Sequence, residues 1–189
     1  MTRGLPRTLA RAAREAGLAP PKLGLKAVTT GQGGSYRTVF TFAGMQVPVT
    51  DALAYAGQKI LDFSDGKVRI KGGTARLQFA VLTTRASTIN DSAALTWSLG
   101  SAVASSATLA GTMVNVLAST VRTLDGAGAA LSTASIADVA AAVTLDGTAT
   151  PVDLYLNLAF ATGTDIDADG TLAVTGTATL LWENWGDNN

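Results

Sequence analysis

Strict alternation over Thr150–Phe160 (TPVDLYLNLAF) constrains the fold more than any other stretch. Val152, Leu154, Leu156, Leu158 and Phe160 take every second position, with Asp153, Tyr155, Asn157 and Ala159 between them. Successive side chains of a strand point to opposite faces, so the pattern predicts a strand with one apolar face on a core and one wetter face outward. Thr171–Trp182 (TLAVTGTATLLW) repeats it: Leu172, Val174, Ala178, Leu180 and Trp182 share one face, and Thr175, Thr177 and Thr179 the other. The connection Ala161–Gly170 is polar, acidic and closed by a turn-forming Asp-Gly. The two stretches are therefore expected to form a long antiparallel two-stranded unit.

Other segments carry the same signature. Strands are expected at Leu23–Thr30, Tyr36–Phe42, Met45–Thr50, Val68–Ile70, Thr74–Thr84 and Ala93–Leu99. Pro48 has no N–H to give a ladder, so Met45–Thr50 belongs at an edge or a bend. Gly31–Ser35 reads as a flexible loop, Ser64-Asp65-Gly66 as a turn, and Ser101–Leu109 as a small-residue loop or weak strand. Asp51–Phe63 is ambiguous at its start, where a helical turn capped by Asp51 also fits, and reads as extended from Gln58. Thr112–Thr120 and Ile136–Leu145 fit a short helix or a strand equally well. Many short strands with turn punctuation predict a mainly β chain, an antiparallel, jelly-roll-like β-sandwich over residues 27–189.

Residues 1–26 read differently. After Pro6, Arg7, Arg11 and Arg14 fall at i, i+4 and i+7 as one basic stripe, with Arg3 ahead of it, before Gly17 and Pro20-Pro21 stop the helix. So short a helix needs a surface to lie on, which makes this an extended or helical N-terminal arm. The chain's formal net charge is zero, but unevenly placed. Residues 1–26 carry six bases and one acid, residues 27–86 seven bases and three acids, and residues 87–189 Arg122 against ten acids. Such polarity attracts copies head to tail or draws in a charged partner. Only 15% of residues are charged, below the roughly 25% usual in soluble proteins. A surface so poor in charge suits a protein packed against others.

The sequence holds no cysteine and no histidine, which rules out disulfides, thiolate chemistry, Cys/His zinc sites and histidine-based triads. No apolar run reaches the length of a membrane-spanning helix, and no apolar stretch follows the early arginines as a secretory signal requires. Asp165, Asp167 and Asp169 before Gly170 match the first half of an EF-hand loop, but Gly176 stands where the bidentate glutamate belongs. An acidic turn explains them more simply. Gly31-Gln-Gly33-Gly34 lacks the lysine and hydroxyl residue of a phosphate loop and reads as a hinge. Trp97 and Trp182 fall on apolar strand faces and are assigned to the core, whereas Trp185, near the end, is assigned to the surface or a subunit contact. No catalytic residue, cofactor or nucleic-acid site is expected, and the chain is not read as an enzyme.

The phrases "DALAYAGQKILDFSDGKVRIKGGTARLQF" from Asp51, "ALTWSLGSAVASSATLAGTMVNVLAST" from Ala94, "TPVDLYLNLAF" from Thr150 and "GTLAVTGTATLLWENWGD" from Gly170 give the chain a recognisable order. From Phe42 to Asp187 it resembles small virion proteins of tailed bacteriophages encoded near the major capsid protein. The resemblance implies a head decoration, or cement, protein, carried on the outside of the phage head and commonly trimeric. Its expected partners are the major capsid protein and further copies of itself, with no nucleic acid and no membrane. Contacts are then expected from Arg3, Arg7, Arg11, Arg14 and Trp185. The rival expectations are another virion component, such as a tail or head fibre, and a carbohydrate-binding module using Trp185.

Overall fold

The computed structural model describes residues 23–51, 53–82, 89–90, 93–125, 135–139 and 143–186. The alternating stretches all become strands: β1 (Leu25–Gln32), β2 (Ser35–Val49), β3 (Tyr55–Asp62), β4 (Gly66–Val81), β5 (Ala94–Gly100), β6 (Leu117–Thr123), β7 (Ser135–Val139), β8 (Val143–Gly147), β9 (Asp153–Phe160) and β10 (Gly170–Gly186). Two single 3₁₀ turns, Gly111–Met113 and Gly163–Asp165, are the helical elements among the described residues. Within Asp51–Phe63 the strand starts at Tyr55, and no helical turn is found among the described residues before it. The described parts of 112–145 contain that one 3₁₀ turn and are otherwise extended or irregular.

One sheet runs β1-β2-β10-β4-β7, with β8 also on β4, and the other runs β3-β9-β5-β6. All strand pairings are antiparallel. On β4, Val139 of β7 sits opposite Gly73 and Val143 of β8 opposite Ile70, so β7 and β8 are two halves of one interrupted strand. Counted so, and with β1 set aside as an extra edge strand, two four-stranded sheets remain. Their order, β2-β10-β4-(β7, β8) over β3-β9-β5-β6, is that of a jelly roll. The expectation of a jelly-roll-like sandwich is met.

The expected pairing of β9 with β10 is not. β9 lies between β3 and β5, and β10 lies between β2 and β4 in the opposite sheet. Both strands carry strong apolar faces, and those faces bury best by meeting across the sandwich. The 161–169 connection is therefore a crossover between sheets rather than a hairpin turn.

Two strands are longer than expected because bulges carry them through their glycines. Tyr36–Phe42 and Met45–Thr50 join in β2, where Gly44 (φ 72°) is an extra residue against Val174 and Thr175. Without that extra residue one half of β2 would turn its apolar side chains to solvent. Likewise Val68–Ile70 and Thr74–Val81 join in β4 with Lys71 as the bulge. Pro48 pairs with Thr171 on one side, beyond the reach of β1, so it does occupy an open edge. The Gly31–Ser35 loop is a two-residue hairpin turn: Gly33 and Gly34 both take positive φ (62° and 84°), as a primed turn demands.

Trp97, Trp182, Phe40, Phe42, Phe79, Phe160 and Met45 fill the space between the sheets. Phe79 of β4 meets Trp97 of β5 across the layers at 5.8 Å between ring centres. Trp182 packs on Tyr36 at 4.6 Å and edge-on to Phe63 at 5.1 Å. Its indole N–H donates to Thr38 Oγ1 at 2.9 Å, and that hydroxyl shares a further 2.9 Å bond with Thr29. Both core assignments made for the tryptophans hold.

Candidate functional site

Arg3, Arg7, Arg11 and Arg14 lie outside the described residues. The remaining sequence-predicted residues fall at opposite ends of the sandwich. Trp185 is the penultimate residue of β10, where the register to β4 slips between Asn184 and Gly186 and throws its side chain outward. It is 46% exposed. The Arg69 guanidinium lies 5.5 Å from its ring centre, and its indole N–H donates to Glu183 Oε2 at 3.3 Å. Glu183 also accepts from Lys71 Nζ at 2.8 Å, and this bond holds its carboxyl below the ordinary value. Asn184 fixes the corner, donating to Ser64 Oγ at 2.6 Å and accepting from the Gly186 N–H at 2.6 Å.

At the other end, Asp165, Asp167 and Asp169 do not converge. Asp165 closes the 3₁₀ turn, accepting from the Thr162 N–H at 3.2 Å and its hydroxyl at 3.1 Å, and from Asn90 Nδ2 at 3.2 Å. Asp169 accepts from the Asp51 N–H at 2.7 Å and so ties the β2–β3 connection to the crossover. Among the described residues, no three carboxylates form a set able to hold a metal ion. The half-match to a calcium loop reflects a need for side-chain acceptors where the backbone turns.

Sequence reasoning missed two polar arrangements on the outer side of the smaller sheet. The first is Asn157, expected on a wet face but fully buried in β9. Residues 101–116 cross over it. Asn157 Oδ1 accepts from the Ala104 N–H at 2.8 Å, and Nδ2 donates to Ala102 O and Met113 O, each at 2.9 Å. Ser98 donates to the same Met113 carbonyl at 2.8 Å. Gly57 and Gly100 let the segment lie flat: a Cβ on Gly57 would stand 2.5 Å from Val103 Cγ2, and one on Gly100 2.3 Å from the Met113 carbonyl carbon. The run of small residues 101–107 was the available sequence signal.

The second is an ionic cluster at one end of that face, where Lys59 and Asp62 of β3 meet Asp153 and Tyr155 of β9. Lys59 Nζ is paired to Asp62 and lies 3.1 Å from Asp153 Oδ2, which also accepts from Tyr155 Oη at 2.9 Å. The hydrogen bond to Asp62 leads in pushing the Lys59 ammonium up to about 12. Partial burial works to raise Asp153, but bonds with Asp62, Tyr155 and Lys59 outweigh it and hold that carboxyl below its ordinary value. A depressed carboxylate contributes stability that is present above its unfolded value and lost as pH falls through its folded one. The raised ammonium contributes stability that is present below its unfolded value and lost as pH rises through about 12. Since Lys59 is 36% exposed, the cluster is worth ~1 kcal/mol or less. Asp153→Asn is expected to lower the urea midpoint slightly at neutral pH and to flatten the acid limb of a stability–pH curve.

No protein-family model and no curated protein matches this chain. Solved structures similar to it include one described as the cyanophage Pam1 capsid asymmetric unit. That chain is 19% identical, with a TM-score of 0.33, over 86% of this chain and 97% of the other. A second belongs to the structure of infectious bursal disease virus, Gx strain. It is 13% identical, with a TM-score of 0.29, over 86% of this chain and 32% of that one.

Proposed function

We propose that this protein is a structural component of a tailed-bacteriophage virion, a decoration or cement protein. It would bind the outside of the head as a homotrimer and tie neighbouring capsomers of the major capsid protein together, after assembly in the host cytoplasm. The strand order carries this reading. A double-sheet jelly roll is an architecture of viral capsid and lectin domains. Fold alone leaves the function open, and the resemblance in phrase order between Phe42 and Asp187 selects the virion. The sandwich supplies a rigid body, and the basic arm supplies the reach. Several weak contacts per trimer would then act at high effective concentration.

The test is addition of the purified full chain to expanded heads assembled without it, followed by sedimentation and cryo-reconstruction. Saturable binding at fixed lattice positions is expected, and free chain at saturating concentration would defeat the reading. Deleting residues 1–17, with Arg3, Arg7, Arg11 and Arg14, is expected to weaken head binding at least tenfold at low salt. It should also remove most of the salt dependence while leaving the body folded. Unchanged affinity across salt concentrations would remove the arm from the contact. A lectin reading finds some support in the exposure of Trp185, but Arg69 already lies over that ring. Binding on a glycan array, lost in Trp185→Ala, would favour it.

A further inference from the structure

The outer face of the larger sheet is a regular grid set by register. One row runs Lys26, Thr41, Thr177, Arg76; the next Val28, Val39, Thr179, Thr74; the next Thr30, Arg37, Leu181, Gly72. Val28 (45% exposed) faces Val39 directly, and Leu181 (42% exposed) stands diagonal to it. These three form an apolar centre in a carpet of threonines. Lys26, Arg37 and Arg76 surround it, all exposed, and none makes an ion pair among the described residues. Lys59, Lys71 and Arg122, by contrast, are each paired to an acid. An apolar centre with a charged rim is the anatomy of a protein contact.

Asp138 of β7 stands exposed opposite Thr74 at the end of the middle row, but the grid's three bases outnumber it, so a two-fold, face-to-face contact is disfavoured. The complement lies at the crossover end of the sandwich. There Asp51 and Asp167 are exposed beside Asp165 and Asp169, and Leu53 and Leu82 stand out next to them. Leu82 donates its N–H to Thr171 O and Leu53 to Thr50 O, which fixes both to this end. We infer that the basic outer face of the larger sheet receives the acidic crossover end of a second copy of this chain, a head-to-tail contact. Such a contact joins unlike surfaces and closes into a ring when its rotation allows.

The grid covers roughly 300 Å², from four strands about 4.8 Å apart and five residues along each. That is less than half of what one partner buries in a standard interface of about 800 Å² per side. A single contact is therefore weak and salt-sensitive, and ring closure strengthens it by adding a second contact per copy.

The experiment is sedimentation equilibrium of the full chain at about 50 mM and about 500 mM salt, roughly a threefold change in screening length. Wild type is expected to associate at low salt and to shift toward monomer at high salt. Arg37→Glu/Arg76→Glu should weaken association more than tenfold, as should Asp51→Lys/Asp167→Lys, which spares the carboxylates of Asp165 and Asp169 that hold the loops. All four reversals in one chain should restore it, because the signs again match; tryptophan emission checks that each variant is folded. A wild type monomeric at low salt overturns the inference, as does a fourfold variant that stays monomeric. Association that survives Arg37→Glu/Arg76→Glu would place the acidic end elsewhere and overturn it too. No heads enter the experiment, so its failure leaves the head-binding part of the virion reading untouched and bears only on how copies join.

Discussion

Gly176→Ala is expected to leave little folded protein. Gly176 lies inside β10, opposite Leu77 of β4, in the ladder that joins the two longest strands. A Cβ there would stand 2.1 Å from the Arg76 carbonyl oxygen, and the backbone φ is 135°, a region closed to ordinary L-residues. The oxygen belongs to the neighbouring main chain, so it moves only if the two central strands part. Strain of ~1–3 kcal/mol comes from the dihedral alone, and separating the ladder adds more. Together these are a large share of a stability of ~5–15 kcal/mol. Gly73→Ala should behave alike, since its Cβ would meet the Thr179 carbonyl oxygen at 1.9 Å. Gly33→Ala is the control: φ is also positive, at 62°, but nothing stands within 4 Å. It should cost only ~1–2 kcal/mol. Buried Trp97 and Trp182 report all three in urea titrations, and equal midpoints for Gly176→Ala and Gly33→Ala would contradict the β4–β10 register.

The sequence made the strands legible because alternation records which face meets the core. Leu172, Val174, Ala178, Leu180 and Trp182 all point inward as the alternation predicts. Alternation does not record which strand lies alongside, and adjacency in sequence suggested β9 beside β10. The jelly roll instead separates them, because pairing is decided by which apolar faces close the sandwich. The ambiguity at Ile136–Leu145 had a physical source too: its alanines fit either period, and only the pairing of β7 and β8 to β4 resolves its described residues, 136–139 and 143–145, as strand. At Trp185 the exposed placement expected from its near-terminal position is met, through a bulge that no pattern announced. The arginine stripe at Arg7–Arg14 remains an expectation carried by charge and spacing alone.

Asn157 shows where a polar residue in an alternating run misleads, and its replacement by aspartate is expected to be costly in a pH-dependent way. The side chain meets one N–H and two carbonyls, which fixes its amide oxygen toward Ala104 and its NH₂ toward Ala102 and Met113. In Asn157→Asp the NH₂ becomes an oxygen facing two carbonyl oxygens at about van der Waals contact or closer. Ionised, it has no proton for either and no water to share its charge, so a loss of ~3 kcal/mol is expected at neutral pH. Burial and the facing carbonyls raise the folded-state value of the new carboxyl above its unfolded one. The protonated form donates to one carbonyl, so the deficit relative to wild type should shrink as pH falls through that raised value. Asn157→Leu strands the Ala104 N–H and both carbonyls at every pH, so its deficit should not vary. Urea midpoints of both variants at pH 5 and pH 8, each against wild type at the same pH, separate the two cases. Limited proteolysis within residues 101–116 adds the location: faster cleavage there, with tryptophan emission unchanged, means the segment has lifted while the sandwich stays closed. A pH-independent deficit in Asn157→Asp would mean its carboxylate has reached water, and hence that this segment does not seal the face of β9.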